Sequence, residues 1–391
     1  MRHLISNRQS KKEKTVMPSD IQTKSGIYIH IPFCTSKCLY CDFFSTPAKN
    51  EKVRYDYEKA VIRELKRRLP ELEGTVLRSV YIGGGSPSLM DALFFSRISD
   101  IVSSSGTPVQ NIEYTVEINP HDIGTDWIRE LKDTGVNRIS AGIQAFDDTV
   151  LKEMGRRTTI EDMKRTLPVL ADGFKNLSID MIYGIGRGRD IATELSQIFD
   201  IAAPVHFSAY QYTPPEKKDA PAPLDEETSA SQEKIFMETL LEKGFHRYEV
   251  SNYSKEGYES IHNTIYWEMG TWLGIGAGAR SFNSIKREHS FYDENTSSFI
   301  SGEGLSRYFP SLREQIEEFL LMGLRMTKGI EINRMEYHFG TALDKMIADT
   351  GLNNLIDEGL LEKNNGRIFC TEKGMNFLNT VLLKLFESIK V

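Results

Sequence analysis

Residues 27–41 read Ile27-Tyr28-Ile29-His30-Ile31-Pro32-Phe33-Cys34-Thr35-Ser36-Lys37-Cys38-Leu39-Tyr40-Cys41, a strand-like run that leads into three cysteines. Apolar residues at every second position from Ile27 to Ile31 fit a β-strand, whose side chains alternate between faces. The thiols follow at Cys-x3-Cys-x2-Cys spacing, and a tight loop can bring sulfurs this near in sequence to one metal centre. The chain has 391 residues and four cysteines, with Cys370 standing alone, too few for a disulfide framework. Inert buried thiols scatter over core positions, whereas these three sit in a polar loop. A structural zinc site wants four closed ligands, and no fourth cysteine or suitably spaced histidine follows. Three thiolates on an iron–sulfur cluster would keep one iron open for an outside ligand. Zinc stays as the competing reading.

Outward from this stretch, short apolar runs recur at Ser79–Ile82, Tyr114–Ile118, Arg138–Ile143, Leu177–Tyr183 and Phe207–Tyr212. Amphipathic segments such as Val53–Leu69, Ser96–Ser103, Asp126–Thr134, Ile160–Leu170 and Ile191–Ala202 separate most of them. The order is βα repeated, which predicts an α/β fold with a parallel sheet. Six units are fewer than a closed eightfold barrel needs, so the expectation is a partial (βα)6 TIM-like barrel with helices outside. In such folds ligands lie beyond the carboxyl ends of the strands. Those ends carry Gly83-Gly84-Gly85-Ser86, Glu117, Gln144 and, within the fifth strand, Asp180. Each alone could be a turn or a cap, but together with the cysteine loop they predict one cavity.

A Pro-rich stretch from Thr213 to Pro223 precedes a long helix expected over 226–243. Further on, His262-Asn263-Thr264-Ile265-Tyr266-Trp267 could bind a flat aromatic cofactor, with the His as iron ligand and the rings as walls, although the residues alone favour a packed aromatic cluster with a hydrogen-bonded His. From Ser311 helices lead to Asn364-Asn365-Gly366, a hairpin turn between Leu360 and Thr371, so a winged-helix-like domain is expected at 311–391. Its 10 basic and 12 acidic residues argue against DNA reading, and Cys370 reads as an ordinary buried thiol. The divisions expected are a disordered extension at 1–24, the barrel at 25–225, a linking region at 226–310 and the terminal domain at 311–391. Residues 1–24 are basic and polar without the apolar stretch of a secretory signal, and Met17 is an alternative start. The formal charge of −7 gives no pull toward nucleic acid. No apolar run approaches the roughly 18 residues of a membrane span.

With these motifs in place, the chain from about Gly26 onward resembles the radical S-adenosylmethionine (SAM) proteins of the oxygen-independent coproporphyrinogen III oxidase-like family, in its haem-chaperone (HemW) branch. The resemblance implies a 4Fe-4S cluster on Cys34, Cys38 and Cys41, with SAM on the open iron, where one electron can split the sulfonium to a deoxyadenosyl radical. It carries Tyr28, Tyr40, Gly84, Gly85, Ser86 and Glu117 over as contacts of a first SAM. Gln144, Arg156, Asp180 and Thr213 correspond to second-SAM positions of the oxidase. Where the oxidase has a further cysteine two residues after the triad, this chain has Phe43, as the chaperones do. The chaperones' His-Asn-x-x-Tyr-Trp element is matched by His262, Asn263, Tyr266 and Trp267, which turns that segment toward haem binding.

The sequence also departs from its relatives. Tyr183-Gly184-Ile185-Gly186-Arg187-Gly188-Arg189 replaces a common Tyr-Gly-Leu-Pro-Gly-Gln-Thr, and Arg157, Ser260, Ala277 and Arg280 replace His, Cys, Pro and His. The resemblance implies a carrier that delivers haem to respiratory apoproteins and draws on an electron donor for its cluster. The competing readings are a porphyrinogen-decarboxylating radical enzyme and a zinc-stapled binding module. An oxygen-labile cluster implies a reducing compartment, the cytoplasm first and an organelle matrix second. Composition carries no oligomer signal and leaves a homodimer open.

Overall fold

Each of the six expected strands forms, and each pairs in parallel with the next: β1 (Lys24–Ile31), β2 (Val76–Gly84), β3 (Glu113–Ile118), β4 (Arg138–Gln144), β5 (Asn176–Tyr183) and β6 (His206–Gln211). The computed structural model describes residues 23–47, 50–217 and 219–390. The extension expected at 1–24 therefore falls almost wholly outside the described residues, and Lys24 already belongs to β1. Helices Glu51–Arg68, Ala92–Ser104, Thr125–Lys132, Ile160–Gly173 and Ile191–Ile201 fill the crossovers that parallel strands require. Each buries one stripe. In Ala92–Ser104 that stripe is Phe95, Ile98 and Val102, spaced by three and four residues.

Residues 226–310, expected as a linking region, instead extend the same sheet. After helix Glu226–Glu242 come β7 (His246–Glu249), β8 (Asn252–Ser254), β9 (Thr271–Ile275), β10 (Arg280–Asn283), β11 (Glu288–Tyr292) and β12 (Leu305–Tyr308). The sheet order is β12-β11-β10-β9-β1-β2-β3-β4-β5-β6-β8-β7. β9 adds in parallel to the free edge of β1, with Tyr28 opposite Gly274, so the parallel part has seven strands and still does not close. Antiparallel strands then cover both of its edges, which satisfies backbone groups a bare edge would leave unpaired. A Cβ on Gly274 would sit 2.2 Å from the Arg280 carbonyl oxygen, so only glycine lets β9 turn back this tightly into β10. Arg68, fully buried, donates to the Gly274 carbonyl at 3.1 Å and to the Ser290 hydroxyl at 3.0 Å, tying the first helix to this added edge.

The last 80 residues build a second apolar cluster around Ile316, Leu324, Leu355, Val381 and Leu385. Trp272 of β9 and Phe282 of β10 belong to the same cluster, so the C-terminal part is packed onto the sheet edge. Helix Leu312–Leu324 starts at a capping box in which Ser311 and Glu314 satisfy each other's backbone amides. β13 (Ile330–Glu331), β14 (Leu361–Asn364) and β15 (Arg367–Cys370) form a three-stranded sheet in the order β13-β15-β14. Asn365 and Gly366 both have positive φ, 49° and 72°, the turn expected from the sequence. Small sheet and helices together give the winged-helix-like arrangement, and Cys370 is buried within it.

Candidate functional site

The cysteines lie on the loop leaving β1. Phe33-Cys34 pairs in parallel with Thr46-Pro47, which closes the loop at its base. The Leu39 amide donates to the Met154 carbonyl at 3.0 Å, anchoring its far side behind β4. All three thiols are partly exposed and line a cavity of about 360 Å³ at the carboxyl ends of the strands. Burial pushes the thiols of Cys34 and Cys41 up, and neighbouring sulfurs add to this in both cases. Phe43, 64% exposed, is on the same wall.

Tyr40, Gly84, Gly85, Ser86, Glu117, Gln144, Arg156 and Asp180, each expected from the sequence, line this cavity. Glu117 accepts from the Tyr81 hydroxyl at 2.7 Å and from the Gly84 amide at 2.9 Å. Burial raises its carboxyl to about 7. The glycine run is required by packing as well as by access. A Cβ at Gly83 would lie 2.6 Å from the Glu117 carboxyl carbon, and one at Gly85 would lie 2.6 Å from the Phe33 carbonyl oxygen. Arg156 donates to Tyr40 at 2.7 Å and to the Gly142 carbonyl at 2.6 Å, while its buried Nε has no partner among the described residues. Asp180 accepts from Ser140 at 2.9 Å, and burial raises its carboxyl.

Two family models match the chain: the Radical SAM superfamily over residues 28–190 and the HemN C-terminal domain over 311–377. A Lactococcus lactis protein named "Heme chaperone HemW" is 30% identical over 388 residues, covering 93% of this chain and 98% of that one. The chain belongs to the HemW family. Proteins of the same name from Escherichia coli and Bacillus subtilis are 30% and 29% identical and are each covered to 97% of their length. The solved coproporphyrinogen III oxidase (HemN) of Escherichia coli shares the fold, with a TM-score of 0.78 at 18% identity over 93% of this chain and 90% of that one.

Radical SAM membership implies a 4Fe-4S cluster and SAM, and the cavity suits both. Its donor set is three thiols at one end with carboxylates, hydroxyls and an arginine beyond. Among the described residues no three His, Cys, Asp or Glu groups close on a single ion, as a structural zinc site would need. Thiolates that each take a different iron of a cluster do not have to converge that far.

The His262–Trp267 stretch is a short helix, Ile261–Trp267, whose side chains face different places. Its first turn is held by Glu113, which accepts from the Ile261 and His262 amides at 3.1 and 2.9 Å. Asn263 lines the cysteine cavity. His262 is 1% exposed, with Nδ1 2.8 Å from the Ser79 hydroxyl and Nε2 2.7 Å from the Tyr266 hydroxyl. Burial lowers its pKa to about 3, so the ring is neutral. Trp267 points the other way, into a cleft of about 970 Å³ against the C-terminal domain. Tyr28 is behind the cavity lining, its ring 6.2 Å from Tyr81 and its hydroxyl 2.9 Å from His30 Nδ1. Thr213 is not among the lining residues.

Several residues of the site were not legible beforehand. Asn119 and Asp122 tie the loops together: Asp122 accepts from Thr35 at 3.1 Å, Ser86 at 3.2 Å and Asn119 at 3.0 Å. The signal was the Asn119-Pro120 turn after β3. His206 bridges Ser178 and Tyr248 at 2.8 Å each, deep in the cavity floor. Arg189, from the divergent loop, is buried and donates to the Gln144 carbonyl at 3.2 Å and to Glu194 at 2.9 Å. Gln144 has φ 73°, so this arginine helps to hold a backbone turn that glycine would adopt more readily.

Proposed function

We propose that the protein is a haem carrier that binds haem at the His262, Asn263, Tyr266 and Trp267 element and hands it to respiratory apoproteins. Its cluster would be held by Cys34, Cys38 and Cys41, and SAM by Tyr28, Tyr40, Gly84, Gly85, Ser86 and Glu117. Gln144, Arg156 and Asp180 would contact a second SAM or shape the cavity floor. When bound, the cluster supplies one-electron chemistry at its open iron. Residues of this chain do the rest. Glu117, when ionised, would offer a carboxylate to the SAM ammonium, its oxygens fixed by Tyr81 and the Gly84 amide. Arg156 orients Tyr40 beside the cysteines.

The observation that carries the reading is the position of helix Ile261–Trp267, with Asn263 on the cofactor cavity and Trp267 on the second cleft. Between them Tyr81 stacks on His262 with ring centroids 5.0 Å apart, and His262 meets Tyr266 edge-to-face at 4.8 Å. Cofactor state can thereby reach a cargo site through packed rings. In this reading residues 25–225 hold the cofactors, 226–310 carry the haem element and 311–391 close over it. The reading puts the protein in the cytoplasm with an electron donor for its cluster.

Absorbance titration of the anaerobically cluster-loaded protein with hemin tests this. Saturable binding that weakens in His262→Ala is the expected result. Absence of binding with the cluster present, together with decarboxylation of coproporphyrinogen III, would replace carriage by catalysis.

A further inference from the structure

The cleft that Trp267 enters has the chemistry of a porphyrin site in its own right. Its volume of about 970 Å³ is at the upper end of small-molecule cavities, which span about 300–1,000 Å³. Trp267, Phe319, Met326 and Ile330 give it apolar walls, and the buried Trp267 Nε1 has no partner among the described residues.

The charges are unbalanced. Five basic residues, Lys24, Arg287, Lys328, Arg334 and Arg367, face three acidic ones, Glu268, Glu331 and Glu336. Lys24 and Lys328 are both paired with Glu268, and Arg367 with Glu331. Among the described residues neither Arg287 nor Arg334 forms an ion pair with a carboxylate. Both are half-buried; Arg287 donates to the His338 carbonyl and, at 3.3 Å, to the Gln315 side-chain oxygen, and Arg334 donates to the Glu268 carbonyl. Glu268 and Glu331 act on Arg334 only at longer range, so two guanidinium groups that form no ion pair with a carboxylate among the described residues suit two carboxylates of a ligand.

His338 completes the set. It follows Arg334 by four residues on helix Ile332–Phe339, so both side chains share one face. Its ring lies 5.4 Å from Phe319 and makes no hydrogen bond among the described residues, unlike that of His262, whose two nitrogens are both engaged. Burial, helped by Arg287 and Arg334, lowers its pKa to about 4, so a free nitrogen lone pair is present at neutral pH.

We propose that haem sits in this cleft, with the His338 imidazole as an iron ligand and Arg287 and Arg334 as partners of its two propionates. This rests on the carrier reading and moves the seat of the iron from His262 to His338, leaving His262 as the link to the cofactor cavity. The test uses the full cluster-loaded chain, with hemin and iron-free protoporphyrin IX as probes, read by Soret absorbance and by electron paramagnetic resonance. His338→Ala should weaken hemin about tenfold and change the iron signal while leaving protoporphyrin IX binding unchanged. Arg334→Gln, and independently Arg287→Gln, should weaken both probes several-fold, with the melting temperature of each variant as the folding control. Wild-type spectra and affinity in His338→Ala overturn the proposal. If His262→Ala alone removes the hemin signal, the cleft assignment falls and the carrier reading stands; if the wild type binds no hemin, both fall.

Discussion

Acidification should loosen SAM through a single carboxyl, that of Glu117. Burial moves this group from an ordinary 4.5 to about 7, with Asp180 adding to the rise against the hydrogen bonds of Tyr81 and the Gly84 amide. An ammonium ligand needs the ionised form, so below about pH 7 the affinity should fall about tenfold per pH unit and above it should level off. Stability should move in the opposite sense. The folded chain holds this proton more tightly than the unfolded one, so the contribution is fully present below pH 4.5 and is lost as pH rises through about 7. The full span corresponds to at most about 3 kcal/mol, reduced because Glu117 faces the cavity and water reaches it. Calorimetric SAM titration of the cluster-loaded protein between about pH 5.5 and 8.5 measures the first effect, and urea unfolding of the SAM-free chain the second. Glu117→Gln should bind SAM weakly at every pH. An affinity flat across this range, or the same slope in Glu117→Gln, would refute the assignment.

Arg189→Leu should leave Glu194 buried and unpaired and release the Gln144 carbonyl, costing about 3 kcal/mol or more in urea unfolding while the iron content stays at the wild-type level. Cys370→Ser should likewise load iron and sulfide normally, whereas Cys34→Ala should lose the cluster; equal iron in both variants would undo the ligand assignment. Gly366→Val, forced into φ 72°, should cost about 1–2 kcal/mol and speed proteolysis of the C-terminal hairpin ahead of the barrel.

What could be read from the sequence divides along the range of the interactions. The β1–β6 strands announce themselves through local apolar periodicity, and the cysteine loop, Glu117 and Asp180 follow because strand ends in such folds carry ligands. β9 was hidden by its own composition. Thr271-Trp272-Leu273-Gly274-Ile275 is buried at every position and so shows no alternation, and Gly274 and Gly276 imitate a loop. Its identity as a strand depends on β1, about 245 residues away, and no local window contains that partner. His262 teaches the converse lesson. Its neighbours in sequence allow an iron ligand or a packed, hydrogen-bonded histidine, and the Ser79 and Tyr266 hydroxyls engage both of its ring nitrogens in the buried interior. His338, which drew no attention among the charged residues of a small helix, has a ring with no hydrogen bond among the described residues, while its carbonyl accepts from Arg287 of the β10–β11 turn. Residues that act through their own chemistry at a strand end are therefore legible one at a time. Residues whose role is set by which hydrogen bonds their neighbours leave open become legible only once the chain has folded.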